Sequence, residues 1–379
     1  MKADKKILFT IQGEGRGHMT QAIALKSILE QNGYTICAVL IGASKRRVIP
    51  EFVIKKFAGI PLIKIPSPNF VLKDNKGIDL FKTVVHNARE FSTYRRSARI
   101  LGDLVSFHRP DVIINFYEPI TALYASKHAV SNRPPIISIA HQYLNKHEHY
   151  KHPPGHFLDR LFLKAYTNFT AKGSSKLLGL SIYPLPPAKQ SSRLVVVPPL
   201  LRGEIKHLTA AREDFLLCYT VNPGYREDLI NWHRDNPDTE LHIFTDLDGS
   251  HDTISVRPNL TLHRLNDVKF LEFMSRCKAL VSTAGFESIC EAHYLDKKCF
   301  MVPVEGHFEQ LCNAFDAASA GVGLKGDNFN LTPFLKWLSL QQPSNGGFRD
   351  WENQAGAMIL SELDKELLQQ SIMPQLIPA

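Results

Sequence analysis

Three glycines alternate along the chain, Gly13, Gly15 and Gly17, and His18 follows the third directly. The run sits between an apolar stretch, Ile7 to Ile11, and a helical pattern from Thr20 to Leu29. A glycine-rich strand-to-helix turn lets backbone approach a ligand at a helix N-terminus. A dinucleotide fingerprint would need another glycine where His18 stands, and an acid at the end of the next strand. That strand, Ile36 to Ile41, runs instead into Gly42, Ala43 and Ser44. The turn therefore delivers an imidazole, which titrates near neutral pH, to the carboxyl end of the first strand. A second cluster lies between 282 and 291. Ser282, Thr283 and Ser288 offer hydroxyls, Gly285 offers close backbone approach, and Glu291 stands one turn into a helix. That set suits a phosphate and a sugar diol. Glu309 and Gln310 follow at the start of a further helix, an acceptor beside a donor–acceptor amide, able to grip vicinal hydroxyls.

Two other patterns invite a metal and are set aside. Asp246-Leu247-Asp248 follows a strand and reads as a polar loop. His141, His147, His149, His152 and His156 have neither helical nor zinc-finger spacing, and read as a loop, which the resemblance given below implies is on the acceptor side. No metal site is expected.

These groups need elements to hold them. Strands are predicted at 6–12, 35–41, 112–116, 135–140 and 193–197, with helices at 19–32, 78–106, 119–130 and 155–168. After the proline-rich passage from Ser181 to Arg202 the alternation restarts. Strands are predicted there at 214–220, 240–245, 260–263, 278–282 and 299–303, with helices at 225–236, 268–275, 286–295, 307–320 and 331–340. The pattern implies α/β architecture: two Rossmann-like, doubly wound parallel-sheet domains facing each other across a cleft. The expected division is 1–204, 205–349, and a helix and tail at 350–379 packing back toward the first domain; the resemblance given below implies that the first is the acceptor side and the second binds the nucleotide sugar.

The net charge of +8 conceals opposite halves. Through Arg202 there are 30 Lys and Arg against 12 Asp and Glu; beyond it there are 15 against 25. A basic half favours an anionic substrate or surface. Arg89, Arg95, Arg96 and Arg99, close to Phe81, Val84, Val85 and Phe91, suit contact with an anionic membrane leaflet. Nucleic acid is disfavoured, because the basic residues are not interleaved with regularly spaced aromatics. The six cysteines are scattered without a CxxC pair, and the N-terminal residues lack a signal-peptide pattern. Both point to a cytoplasmic, reduced protein.

With these motifs in order, the chain resembles inverting GT-B glycosyltransferases, most closely the MurG-like UDP-GlcNAc transferases and more distantly the UDP-glucuronosyltransferases. The resemblance spans nearly the whole chain. It implies an acceptor side built from Gly13, Gly15, Gly17 and the pair His141-Gln142. It implies a donor site in which Glu291 takes the ribose, Glu309 and Gln310 the sugar, and backbone at Leu265 the uracil. The family's phosphate loop corresponds to Thr220, Asn222 and Gly224, and its nucleotide-turn arginine to Thr283. His18 falls on the catalytic base. The acid that orients such a base would stand at the end of the strand Val112 to Phe116, where Asn115 occupies the matching position and Glu118 is the nearest carboxylate. The implied reaction moves a sugar from a nucleotide diphosphate, UDP for choice, to a hydroxyl of a lipid or cell-envelope acceptor with inversion. The donor is a substrate and no cofactor is expected. The implied enzyme is metal-independent and sits at the inner membrane face. Two rivals share the architecture: a non-hydrolysing UDP-sugar 2-epimerase, and a nucleotide-sugar-binding protein without turnover.

Overall fold

The computed structural model describes residues 5–69, 71–73, 77–189, 193–220, 223–247, 249, 251–342 and 346–372. Its first half contains β1 (Lys5–Gln12), β2 (Tyr34–Gly42), β3 (Leu62–Ile65), the short strands β4 (Leu72–Lys73) and β5 (Gly77–Ile78), β6 (Val112–Phe116), β7 (Ile136–Ala140), β8 (Lys176–Leu180) and β9 (Leu194–Val197). The helices between them are α1 (Gly17–Gln31), α2 (Glu51–Lys56), α3 (Leu80–Arg89), α4 (Phe91–His108), α5 (Pro119–Ala125) and α6 (Phe157–Thr170). The main sheet runs β3-β2-β1-β6-β7-β8-β9, parallel throughout. Helices on both faces of a parallel sheet demand strands that are apolar on both sides. β6 and β7 meet that demand, with every residue buried.

The second half repeats the plan. Its strands are β10 (Phe215–Tyr219), β11 (Glu240–Thr245), β12 (Thr253–Arg257), β13 (Leu260–Arg264), β14 (Ala279–Ser282), β15 (Lys298–Met301) and β16 (Gly323–Lys325). They order as β12-β13-β11-β10-β14-β15-β16, and only the edge strand β12 is antiparallel. Its helices are α7 (Pro223–Arg234), α8 (Asp267–Arg276), α9 (Phe286–Tyr294), α10 (Phe308–Ser319), α11 (Thr332–Leu338) and α12 (Phe348–Glu352), before a final α13 (Ala355–Ile372). α13 returns to the first half. Ile359 and Leu363 are buried in the core shared with β1 and α1, and Lys176 pairs with Glu362 at 3.4 Å.

The predicted elements differ from these in two instructive places. The helix predicted over 78–106 is two helices meeting at Glu90. Asn87 turns its amide to the loop at Asn69 and back to the Thr83 carbonyl, competing with the backbone ladder there. The strands 62–65, 176–180, 253–257 and 323–325 were not predicted. They lie at or next to a sheet edge, and the two-residue strands β4 and β5, also not predicted, pair only with each other.

Candidate active site

The carboxyl ends of both sheets face one cleft of about 690 Å³. Gly15, Gly17 and His18 line it from the first half. Thr283, Gly285, Ser288, Glu309 and Gln310 line it from the second.

The three glycines do three different things. Gly13 lies in the packing between β1 and β2, donating its N–H to Gly42 O; a Cβ there would stand 2.6 Å from Ile41 Cγ2. It does not line the cleft, which corrects its acceptor-side assignment. Gly15 faces open space. Gly17 opens α1 against the opposite half, where a Cβ would meet Glu287 Cγ at 3.3 Å.

His18 is the second residue of α1. Its ring stacks on Tyr117 with centroids 5.7 Å apart, and Nδ1 meets Gln21 Oε1 at 3.2 Å. Loss of water lowers the imidazole pKa, while the nearby Glu309 carboxylate and the Gln21 bond raise it; the lowering prevails. Tyr117 holds φ at +59°, a left-handed conformation unusual for a tyrosine. This twist at the end of β6 turns the ring under His18, and Thr167 fixes the hydroxyl at 2.9 Å.

Neither residue expected to orient His18 touches it. Asn115 is fully buried. Its amide oxygen accepts from Thr10 Oγ1 and Glu118 N–H, and its amide donates to Ser138 Oγ. Glu118 is equally buried and accepts from Ser67 Oγ at 2.6 Å and Ile120 N–H at 3.0 Å. Burial pushes its carboxyl up to about 8, against those two bonds. Both belong to the polar interior of the first sheet, so Glu118 is removed from the catalytic set and Asn115 from the acceptor wall.

On the opposite side α9 begins at the turn Thr283 to Gly285, pinned by Asn313 Nδ2 on the Ala284 carbonyl at 3.0 Å. No side chain caps this helix, so its first N–H groups are available to an anion. Ser282 and Thr220 stand at the carboxyl ends of β14 and β10. Both are fully buried, and neither side-chain oxygen has a hydrogen-bond partner among the described residues. Neither lines the cleft, nor does Gly224 in the first turn of α7; Asn222 and Asp248 fall outside the described residues.

Glu291 lines the cleft but is engaged. Arg202, just before the crossing between halves, donates Nε and Nη2 to its two oxygens, each at 2.6 Å. A side-on guanidinium–carboxylate pair of this kind is short and strongly directional. The unshared lone pairs are what Glu291 has left for a ribose. Gln310 is similarly committed, its Oε1 accepting from Val304 N–H at 2.9 Å, while Glu309 stands near His18. Leu265 lines the cleft beside Tyr219 and Phe270, whose rings lie 5.4 Å apart.

His141 works at the seam between halves. Its ring stacks on Phe286 of α9 at 4.0 Å, and Nδ1 meets the Leu180 carbonyl at 2.8 Å. Gln142 is buried at the cleft wall. Of the other histidines of that loop, His147 meets the Pro186 carbonyl and accepts from His149 N–H, His152 meets Asn145, and His156 meets Asp159.

Sequence reasoning missed Tyr117, Gln21, Glu287, Arg202 and the arginines Arg16, Arg46 and Arg47, which line the cleft from the first half. Gln21 could have been found from its place three residues after His18, on the same helical face.

Two doubly wound sheets presenting an imidazole and an uncapped helix N-terminus to a shared cleft define a GT-B glycosyltransferase. The Glycosyl transferase family 1 model matches residues 5–339, and the chain belongs to that family. Among solved structures it is similar to Arabidopsis thaliana UGT89C1 complexed with quercetin, at 14% identity and a TM-score of 0.64, covering 96% of this chain and 100% of that one. It is similar to LpCGTa in complex with UDP, at 15% identity and 0.61, covering 96% and 99%. The spinosyn rhamnosyltransferase SpnG complexed with thymidine diphosphate aligns at 14% identity and 0.56, covering 95% and 100%. No curated protein matches the sequence.

Proposed function

We propose that the protein transfers a sugar from a nucleoside diphosphate to a hydroxyl acceptor, with inversion and without a metal ion. The observation that carries this reading is His18, set at the cleft floor with Nδ1 engaged and the Glu309 carboxylate nearby. The acceptor oxygen attacks the anomeric carbon from the His18 side. Its proton passes to His18 Nε2 as the bond from the anomeric carbon to phosphate oxygen breaks. The nucleoside diphosphate leaves with that electron pair. Its charge is met by the N-terminus of α9 and by Arg16, Arg46 and Arg47 across the cleft. The nucleobase rests by Leu265 against the contacting Tyr219 and Phe270 rings. The UDP and thymidine diphosphate held by LpCGTa and SpnG support a pyrimidine donor.

The acceptor is a lipid or envelope precursor. Supporting it, Phe157 and Leu158 on α6 are each 76% exposed beside Arg160 and Lys164, while Leu163 and Tyr166 on the same helix line the cleft. Among the described residues no helix is long and apolar enough to cross a membrane. Contact with an anionic leaflet would therefore be peripheral, through α6 and the exposed Phe81 and Val84 of α3.

The test is thermal stabilisation and hydrolysis with UDP- and TDP-sugars. H18A is expected to lower transfer by about 10²–10⁴-fold while donor binding persists. Unchanged turnover removes His18 as base. No stabilisation by any nucleotide sugar removes the donor assignment, and conversion of UDP-GlcNAc to its 2-epimer in NMR replaces transfer by epimerisation.

A further inference from the structure

A base of this kind works only if one ring nitrogen keeps a lone pair toward the substrate, and among the described residues of the first half no carboxylate bonds His18 to arrange that. A different arrangement is present. Gln21 is buried, 2% exposed, one turn below His18. Its Oε1 lies 3.2 Å from His18 Nδ1, and its Nε2 donates to Glu287 Oε1 at 2.5 Å. The amide nitrogen can only donate, so Glu287 Oε1 is the acceptor, the acid proton belongs on the unpartnered Oε2, and the amide oxygen of Gln21 is the group turned to His18. The amide oxygen facing His18 can only accept. Nδ1 therefore carries the proton, and Nε2 is left as the basic nitrogen.

Glu287 belongs to the opposite half, 266 residues further along, in the first turn of α9. It is 8% exposed, and its Oε2 has no hydrogen-bond partner among the described residues. Burial pushes its carboxyl up to about 8, with Glu291 adding to the effect and the Gln21 bond opposing it. Near neutral pH it is thus the protonated, neutral form that stands at the end of α9, where the departing diphosphate would be repelled by an anion. Gly17 lets the two helices close to this distance. The seam has its own contact in the His141–Phe286 stack, so removing Gln21 does not by itself part the halves.

We propose that Gln21 and Glu287 are the positioning residues for His18, and that the base is set from across the cleft rather than from its own sheet. The proposal rests on the reading of His18 as base. It makes the correct imidazole tautomer a property of the closed pair of helices α1 and α9.

The experiment uses the full chain and two readouts. Two-bond ¹H–¹⁵N NMR gives the His18 tautomer, its signals identified by their loss in His18→Asn. Steady-state transfer or donor hydrolysis gives kcat, KM and their pH profiles. The wild type is expected to hold the proton on Nδ1. Gln21→Met, close in size but without the amide, and Glu287→Ala are expected to shift His18 toward the Nε2–H tautomer. Each should lower kcat by about 10- to 100-fold with donor KM within about twofold, as for partners that orient a histidine's second nitrogen. The exchange Q21E with E287Q keeps both bonds and places the carboxylate beside Nδ1. It is expected to restore the Nδ1–H form and to move the acid limb of kcat upward by about one pH unit. Retention of the Nδ1–H form in Gln21→Met overturns the proposal. So does a loss that falls on KM alone and is not recovered by the exchange. If the wild type turns over no nucleotide sugar, the transferase reading fails, and the tautomer still decides the role of Gln21.

Discussion

The two sheets share a largely parallel plan but differ in how the hydroxyls at the ends of their central strands are paired. In the first, Thr10, Asn115, Thr121 and Ser138 bond to one another in a closed, fully buried set. In the second, Thr220 and Ser282 are equally buried, yet their side-chain oxygens find no partner among the described residues. Buried polar groups are nearly always satisfied, and exceptions gather where a ligand or water completes the set. The difference teaches that the first sheet ties its buried polar groups to one another near His18, while the second leaves two hydroxyls unpaired beside the turn that opens α9.

Substitution can break that comparison. The largest effect is expected from Asn115→Ala, which strips partners from Thr10 and Ser138 at once. Chemical denaturation should show a loss of about 2–4 kcal/mol, with UDP-sugar affinity retained once folded. A milder and opposite pattern is expected from Thr220→Val and Ser282→Ala. Their unfolding midpoints should hold or rise, while calorimetric donor affinity falls about tenfold for the pair. Equal affinity with and without the hydroxyls would show that they serve packing alone. The smallest effect belongs to E118Q. The Glu118 carboxyl sits near 8 in the fold, above its ordinary value. The stability it contributes is complete below about 4.5 and fades as pH rises through about 8. Turnover at pH 7 should be unchanged, and the melting temperature should fall less between pH 5 and 9 than in the wild type, by roughly 2–4 °C. An identical profile would mean that Glu118 titrates as an ordinary surface acid.

What the sequence disclosed follows the same division. The turn at Gly13 to His18 and the one at Gly285 to Glu291 were legible because each is local: strand, glycine, helix start, all within a dozen residues. Wholly buried central strands such as β6 and β7 were legible for the same reason. Gln21 with Glu287, and Arg202 with Glu291, were not, since these bonds join residues 266 and 89 positions apart. Assigning Glu118 to His18 failed for a related reason. Proximity in sequence to the end of β6 says nothing about which face of the sheet a side chain enters, and Glu118 turns toward Ser67. Glu291 was recognised by its place in the turn, but not as half of an ion pair.

The chain passes between the halves twice, once after Arg202 and again between α12 and α13, where Trp351 donates to the Ser181 carbonyl at 2.9 Å. A body tethered to another at one point can swing and twist in any direction. With two separate tethers it keeps one easy motion, a turn about the line that joins them. A cleft that opened about that line would reclose with α9 returned to the same face of α1.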